Sequence, residues 1–275
     1  MPNAVVLAGG GVAGIAWHLG IISSLRAAGV DLTTTELLVG TSAGSVVAAQ
    51  IATGQLSAAI AMQEREVTSE IYVDVDLATL FTKAQELAQG TTDPLELMRR
   101  FGAYALAATT VPEPERKAAV AARLPVTEWP RRPLKIAAID AATGELVVFD
   151  RDSGVALVDA VAASCAVPGV WPPTTIGERR FIDGGTRSFT NADLAKGADR
   201  VVIMIPVPPN PVHEERLANE LAILGAETLV LQVDAEAIAA IGSNPLDPSR
   251  RRPALEAGRR QGTLLEDRVR AFWLA

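Results

Sequence analysis

Short apolar runs alternate with longer stretches of helical spacing at the start of the chain. Residues 4–8 are wholly apolar and end at three glycines, which is typical of a strand buried on both faces of a sheet. Helical spacing follows over 15–28, and a second unit then places a strand at 37–39 and a helix at 45–53. Two strand-turn-helix units in succession predict a parallel sheet, because the helix returns the chain to the edge where the next strand begins.

The strand pattern fades in the middle of the chain and then resumes. Residues 57–128, with helical stretches at 80–89 and 94–108, are interpreted as a helical insertion or cap. The later pattern predicts strands at 134–139, 146–149, 201–205 and 229–233, and one more that ends at Ile182. It predicts helices at 157–164, 214–224 and 254–272. The last of these helices belongs to a C-terminal linker and helix over 245–275. We therefore expect one three-layer α/β/α domain over 1–275 with a central, mainly parallel sheet.

Composition narrows the class of protein. The chain has 275 residues, a 49% hydrophobic content large enough for a sizeable core, and a net charge of −7 without a basic stripe, which argues against nucleic acid as a partner. The one cysteine, Cys165, excludes an intrachain disulfide. No apolar run of about 18 residues is present, and the N-terminus lacks a basic signal-peptide stretch. We expect a cytoplasmic protein whose membrane contact, if any, is peripheral.

The turn after the second predicted strand has the sequence GTSAG. It places Ser42 between Gly40 and Gly44, at the start of a helix. A serine nucleophile needs such a sharp strand-to-helix turn, because tiny flanking residues let backbone donors approach it. The alternative is an ordinary turn with Ser42 as a helix cap, which does not require both glycines.

The turn after the first predicted strand has the sequence GGGVAG over residues 9–14. Backbone amides of Gly9, Gly10 and Gly11 are suited to an oxyanion hole. The same letters also match the fingerprint of dinucleotide-binding proteins, with Asp31 near the expected distance for a ribose contact. A nucleotide-binding oxidoreductase is therefore the competing hypothesis, although it leaves the GTSAG turn unexplained.

A third glycine-rich turn contains an acid. Asp183 stands at a predicted strand end and is followed by Gly184 and Gly185. Because ligands bind at the carboxyl ends of parallel strands, we expect Asp183 to lie in the same crevice as the other two turns.

These segments together resemble the patatin-like phospholipase family. The resemblance includes residues 163–173 (ASCAVPGVWPP), which are similar to an Ala-Ser-x-Ala-x-Pro stretch of that family, and it runs from about residue 4 to 195. The family usually has Arg or Lys where this chain has Ala13.

The resemblance implies a function. It implies a Ser42 and Asp183 catalytic dyad, an oxyanion hole around Gly9, Gly10 and Gly11, and hydrolysis of acyl lipids or small esters without a metal or organic cofactor. Ser42 would be the nucleophile and Asp183 the proton acceptor. The loss of a cation at position 13 motivates a third hypothesis, a weakly active hydrolase-like binding or regulatory protein.

The chain has two histidines, and either would change the mechanism if it were catalytic. His18 lies in the first predicted helix and is interpreted as a packed helix residue. His213 would complete the chain order Ser, Asp, His of an α/β-hydrolase triad, but its polar surroundings predict a helix start. The dyad is the favoured hypothesis, with the triad kept as the alternative.

Overall fold

The computed structural model describes residues 2–66, 69–75 and 77–275. Within these residues the strands are β1 (Asn3–Leu7), β2 (Leu37–Gly40), β3 (Leu134–Asp140), β4 (Leu146–Phe149), β5 (Thr174–Ile176), β6 (Arg179–Asp183), β7 (Arg200–Ile205) and β8 (Glu227–Gln232). The α-helices are α1 (Gly11–Ala27), α2 (Ala43–Ala52), α3 (Leu56–Glu64), α4 (Leu77–Ala88), α5 (Pro94–Ala107), α6 (Glu113–Ala121), α7 (Leu157–Ser164), α8 (Pro211–Leu224), α9 (Ala235–Ile241) and α10 (Arg251–Trp273). None of the helices in the described residues is long and apolar enough to cross a membrane.

The strands form one sheet with the order β5-β6-β3-β2-β1-β7-β8, and β4 also pairs with β3. Strands β3, β2, β1, β7 and β8 pair in parallel, whereas β4, β5 and β6 pair antiparallel. The predicted central, mainly parallel sheet is therefore confirmed. Leu7 at the end of β1 lies opposite Gly40 at the end of β2, so the two glycine-rich turns begin at the same edge.

Both faces of the sheet are covered, which explains why β1 is apolar at every position but one. Val5 and Leu7 pack into the hydrophobic cluster formed with α1, α2 and α10. Ala4 and Val6 point to the other face, where they share a cluster with the apolar side of α8. Alternate residues of a strand face opposite sides, so a strand between two helical layers must be apolar throughout. The predicted three-layer α/β/α fold is confirmed.

Helices α1 and α10 approach each other closely. A Cβ on Gly258 of α10 would come within 2.5 Å of the Trp17 carbonyl oxygen in α1, and one on Gly20 would meet the backbone of α10. The indole N–H of Trp17 donates to Gln261 Oε1 at 2.9 Å. The last helix therefore supports the helix that begins in the GGGVAG turn.

Several elements differ from the prediction. Helices α3, α6 and α9 and strand β5 were not predicted, and α1 begins at Gly11 instead of residue 15. Gly11 and Gly14 are poor helix formers, so tertiary packing decides the start of α1. Helices α3 to α6 fill most of the predicted insertion, and residues 67, 68 and 76 of it lie outside the described residues.

Candidate active site

Ser42 has an unusual backbone conformation. Its φ of 51° and ψ of −118° put a non-glycine residue in the left-handed half of backbone space. Such strain persists only where the surroundings enforce it, and it is concentrated at functional sites. Here the turn is tight because a Cβ on Gly40 would come within 2.5 Å of Ser45 Cα, and one on Gly44 would collide with the Leu7 carbonyl group.

Hydrogen bonds fix the Ser42 backbone. Its N–H donates to Ser164 Oγ at 2.9 Å, and its carbonyl oxygen accepts from Ser45 Oγ at 2.6 Å. Helix α2 begins at the next residue, Ala43, and the side chain of Ser42 makes no capping bond to it. The hydroxyl is therefore not used as a helix cap.

Asp183 lies at the same edge of the sheet as Ser42, but the strand that carries it runs in the direction opposite to the predicted one. It was expected at the carboxyl end of a parallel strand, but β6 runs antiparallel to β3, so that expectation is wrong. Asp183 pairs with Ala138, two residues beyond Ile136, which pairs with Gly40. The register therefore sets the last residue of β6 level with the turn that follows β2.

The Asp183 carboxylate is buried and incompletely bonded. Its Oδ1 accepts the N–H of Gly185 at 2.7 Å, whereas Oδ2 has no hydrogen-bond partner among the described residues. Gly184 has no room for a side chain, because a Cβ would run into the Ala137 carbonyl group. The Asp-Gly-Gly turn thus holds the carboxylate against the end of the sheet.

Burial raises the pKa of Asp183 to about 7, and interactions with the Ser42 hydroxyl, the Gly185 N–H and the Arg116 charge oppose part of this rise. The Ser42 interaction means that the two side chains are neighbours. It does not have the geometry of a normal hydrogen bond, because Oδ2 is unpartnered and Oδ1 accepts only from Gly185. Catalytic hydrogen bonds are often long or misaligned before substrate binds.

Only part of the predicted oxyanion loop has free donors. The Gly9 N–H donates to the Phe189 carbonyl oxygen at 3.0 Å. This amide is therefore not free to bind an oxyanion, contrary to the prediction. Within the described residues, the amides of Gly10, Gly11 and Ala43 donate no hydrogen bond. Gly11 has a φ of 66°, and a Cβ there would approach the Pro245 carbonyl oxygen to 2.5 Å, so a side chain at this position is strained and crowded.

Asn191 connects the turn of Ser42 with the turn of Asp183. It adopts a left-handed conformation with a φ of 48°, which asparagine tolerates better than most residues. Its Nδ2 donates to Thr41 Oγ1 at 3.0 Å, beside Ser42, and to the Gly184 carbonyl oxygen at 3.2 Å, beside Asp183.

Arg116 of α6 is a buried cation whose charge acts on Asp183. Its guanidinium stacks on the Trp171 ring, with the Cζ atom 3.8 Å from the ring centroid. Nε and Nη1 are buried without hydrogen-bond partners among the described residues. Burial lowers the pKa of Arg116 to about 9, so it keeps its positive charge at neutral pH.

A cavity of about 320 Å³ contains both side chains. The residues of the three glycine-rich turns line one wall. Another part of the lining comes from the predicted insertion and is largely apolar, with Leu80, Phe81 and Ala84 of α4 and Leu97 and Phe101 of α5. Trp171 does not line the cavity and has a packing role.

His213 lines this cavity but is bonded to neither Ser42 nor Asp183. Its ring packs on Phe189, with ring centroids 4.2 Å apart, and Nδ1 has no partner among the described residues. Burial and the charge of Arg216 lower the pKa of His213 to about 4. His18 is a buried residue of α1, as expected, and its Nε2 donates to the Ala8 carbonyl oxygen at 3.0 Å.

The other sequence candidates have structural roles. Asp31 precedes β2, accepts the Thr33 N–H at 2.9 Å and pairs with Arg26 at 3.1 Å. Because β1 and β2 are parallel, Asp31 lies at the edge of the sheet opposite to the GGGVAG turn. Cys165 is buried, and burial raises the pKa of its thiol. No group of three or more metal-ligating side chains is found in the part of the chain that the structure describes.

Four contributors to the site were not predicted as such: Ser164, Asn191, Arg116 and Arg216. Ser164 stands in the Ala-Ser-x-Ala-x-Pro stretch, so the resemblance marked its segment but not its bond to Ser42. Asn191, Arg116 and Arg216 carry no local motif, and only the folded chain brings them to the site.

A strained serine between a strand and a helix, at the carboxyl edge of a three-layer sheet, defines the class of α/β proteins built around a nucleophile elbow. Within this class the family is shown by the sequence. The family model described as patatin-like phospholipase matches residues 5–196, and the chain belongs to that family, as its motifs predicted.

Solved structures are similar to this chain at low sequence identity. VipD from Legionella pneumophila is 12% identical, with a TM-score of 0.50, and the match covers 97% of this chain and 67% of that one. The type III effector ExoU is 20% identical, with a TM-score of 0.47, over 98% of this chain and 53% of that one. ExoU in complex with SpcU, from Pseudomonas aeruginosa, is 18% identical, with a TM-score of 0.42, over 98% of this chain and 52% of that one. This chain therefore spans about half the length of ExoU.

Proposed function

We propose that this protein is a serine acyl hydrolase that cleaves carboxylic esters of lipids through a Ser42 and Asp183 dyad and an acyl-enzyme. One observation carries the proposal: a strained serine and a buried carboxylate with a pKa of about 7 share one largely apolar cavity. Membership of the patatin-like phospholipase family, whose members are lipid acyl hydrolases, supports the ester-hydrolase part.

In the first half-reaction Ser42 Oγ attacks the ester carbonyl carbon while Asp183 accepts the hydroxyl proton. The tetrahedral intermediate collapses, the C–O bond to the alcohol breaks, and Asp183 returns the proton to the leaving alcohol. In the second half-reaction water attacks the acyl-enzyme and gives a proton to Asp183. The carboxylic acid then leaves, and the proton returns to Ser42.

Burial is what makes Asp183 a useful base. An ordinary aspartate, with a pKa near ~3.9, accepts a proton poorly at neutral pH. A pKa of about 7 matches the operating pH, and a general base is most effective under that condition. The unpartnered Oδ2 leaves one carboxylate oxygen available for the proton.

Three backbone amides are suited to the oxyanion. Those of Gly10 and Gly11 are free at the N-terminus of α1, and that of Ala43 is free directly after the nucleophile. Two loops that each contribute an amide form the usual oxyanion hole of a nucleophile elbow, and helix N-termini add a favourable dipole. Gly9 instead fixes the loop through its bond to Phe189.

The dyad is tested with p-nitrophenyl butyrate and four variants. Ser42→Ala and Asp183→Asn should each reduce kcat by about 10³-fold or more, as expected for members of a catalytic unit. His213→Ala should stay within about tenfold of the wild type, because His213 bonds to neither partner; a loss of about 10³-fold would support the triad instead. Asp31→Asn, at the opposite edge of the sheet, is the control and should leave kcat unchanged.

A serine-directed fluorophosphonate distinguishes turnover from a binding role. Wild-type protein should be labelled and Ser42→Ala should not. Absence of labelling in the wild type would contradict the enzyme assignment and favour the hydrolase-like binding protein.

A further inference from the structure

Arg216 of α8 is a half-buried cation that lines the same cavity as Ser42 and lies outside the residues matched by the family model. Its Nη1 donates to the carbonyl oxygens of Arg187, at 2.8 Å, and Thr186, at 3.3 Å. These bonds hold the guanidinium against the turn that follows Asp183. They leave Nε and Nη2 without a partner among the described residues.

The charge of Arg216 is not neutralised by an ion pair in the part of the chain that the structure describes. Glu215 and Glu220 of the same helix favour its charged form, but neither forms an ion pair with it. Glu220 is occupied by the Thr190 hydroxyl and by the Ala192 N–H, the latter at 3.0 Å. Lys83, the other cation of the cavity wall, is paired with Glu86 at 2.7 Å. An unpaired, half-buried guanidinium with free donors is a binding group for a carboxylate or phosphate.

Arg216 is bonded to the same turn that carries Asp183, so it lies close to the proposed base. Thr186, whose carbonyl oxygen binds Arg216, is three residues after Asp183, and three residues span at most about 11 Å. The intervening residues form a 3-10 turn, which shortens that span further. Most of the α4 and α5 residues that line the cavity are apolar, and Arg216 of α8 lines the same cavity as Ser42.

We propose that Arg216 makes the site selective for acyl esters whose alcohol part carries an anionic group, with the acyl chain against α4 and α5. The inference rests on the proposed ester hydrolysis and adds the class of head group to it. A volume of about 320 Å³ is at the lower end of the range for small-molecule sites, roughly 300–1,000 Å³, so small single-chain esters are the appropriate probes.

The test compares 1-octanoylglycerol 3-phosphate with 1-octanoylglycerol, both below the concentration at which they form micelles. For the wild type we expect kcat/KM at least about tenfold higher for the phosphate ester, mainly through a lower KM, because a charge-assisted bond contributes about one decade or more of affinity. Arg216→Gln should abolish this preference, lowering kcat/KM for the phosphate ester about tenfold more than for the neutral ester. Arg216→Lys, which keeps the charge but not the planar fork, should retain part of it.

Arg200→Gln is the matched control, because it also removes one arginine charge. Arg200 pairs with Asn3 at the start of β7, at the edge of the sheet opposite to the cavity. It should leave the preference unchanged. Equal hydrolysis of both esters by the wild type would overturn the inference. So would an equal loss on both esters in Arg216→Gln, which would show that Arg216 only holds the turn after Asp183.

Binding of the corresponding octyl ether analogues, which cannot be hydrolysed, is measured by calorimetry. If the neutral ester is hydrolysed but neither the ester nor the ether pair shows an anion preference, only this inference fails. If neither ester is hydrolysed while the phosphate ether binds through Arg216, the proposed function fails and anion recognition stands.

Discussion

At the scale of single residues, the site depends on two side chains in energetically costly states. Ser42 has a strained backbone, and Asp183 is a buried carboxylate with an unpartnered oxygen. Each cost is imposed by the surroundings, through Gly40 and Gly44 for the serine and through the sheet register for the acid. Both states favour the proposed reaction, because a sharp turn presents the candidate nucleophile and burial raises the basicity of its proposed partner.

The pH dependence of kcat/KM should show the pKa of Asp183. The ionised form is the base, so activity should rise about tenfold per pH unit below an apparent pKa of about 7 and level off above it. Arg116 lowers the pKa of Asp183, so Arg116→Met should move this acid limb to higher pH. The measurement is hydrolysis of p-nitrophenyl butyrate from about pH 4 to 9.

Arg116→Lys is the control for that shift, since it keeps a positive charge and should bring the limb back towards the wild-type position. An acid limb that does not respond to position 116 would contradict Asp183 as the base, and its loss in His213→Ala would then identify His213, whose pKa is lowered to about 4.

At the scale of elements, the oxyanion loop depends on how two helices pack. Helix α1 begins inside the glycine loop, and α10 crosses it at Gly20 and Gly258 without side chains between the backbones. The contact between α1 and α10 therefore supports the helix from whose first turn the amides of Gly10 and Gly11 project.

Gly258→Ala should test this contact. Its new Cβ would meet the Trp17 carbonyl oxygen at 2.5 Å, so the free energy of unfolding should fall by about 1 to 3 kcal/mol, although alanine is the better helix former. Urea denaturation measures the change. Glu256→Ala, an exposed position in the same helix, should change the free energy by no more than about 0.5 kcal/mol. Equal effects of the two substitutions would mean that α10 does not pack on α1 in this way.

At the scale of the whole molecule, the cavity exists because the insertion folds over the end of the sheet. Helix α5 packs through Met98 and Phe101 on Ile139 of β3 and Ile182 of β6, and α4 completes the apolar wall. The apolar wall of the cavity and the proposed catalytic groups thus come from different parts of the chain.

Ala84→Phe should shorten the acyl chain that the cavity accepts. The added ring would occupy the apolar wall of α4, so we expect the ratio of octanoate to acetate ester hydrolysis to fall by about tenfold or more. Ala78→Phe is the control, because Ala78 is exposed on the same helix and does not line the cavity. An unchanged ratio in Ala84→Phe would show that acyl chains bind elsewhere.

The sequence by itself determined the features that local patterns encode. Apolar runs ending in glycine turns predicted β1 and β2, and apolar spacing placed α7 and β4 at the bounds that the structure has. These features follow from steric and burial requirements within a few residues, so they can be read locally. The three glycine-rich turns predicted the family for the same reason.

Only the tertiary structure decided which groups meet. The antiparallel direction of β6, the use of the Gly9 amide by Phe189, and the approach of Arg116 and Arg216 all depend on contacts between residues far apart in sequence. A pKa depends on burial and on neighbouring charges, and neither can be predicted from the residues next to Asp183 in the sequence. The sequence determined the candidate nucleophile and its turn, whereas packing decided the basicity of the candidate partner and the charge of the cavity.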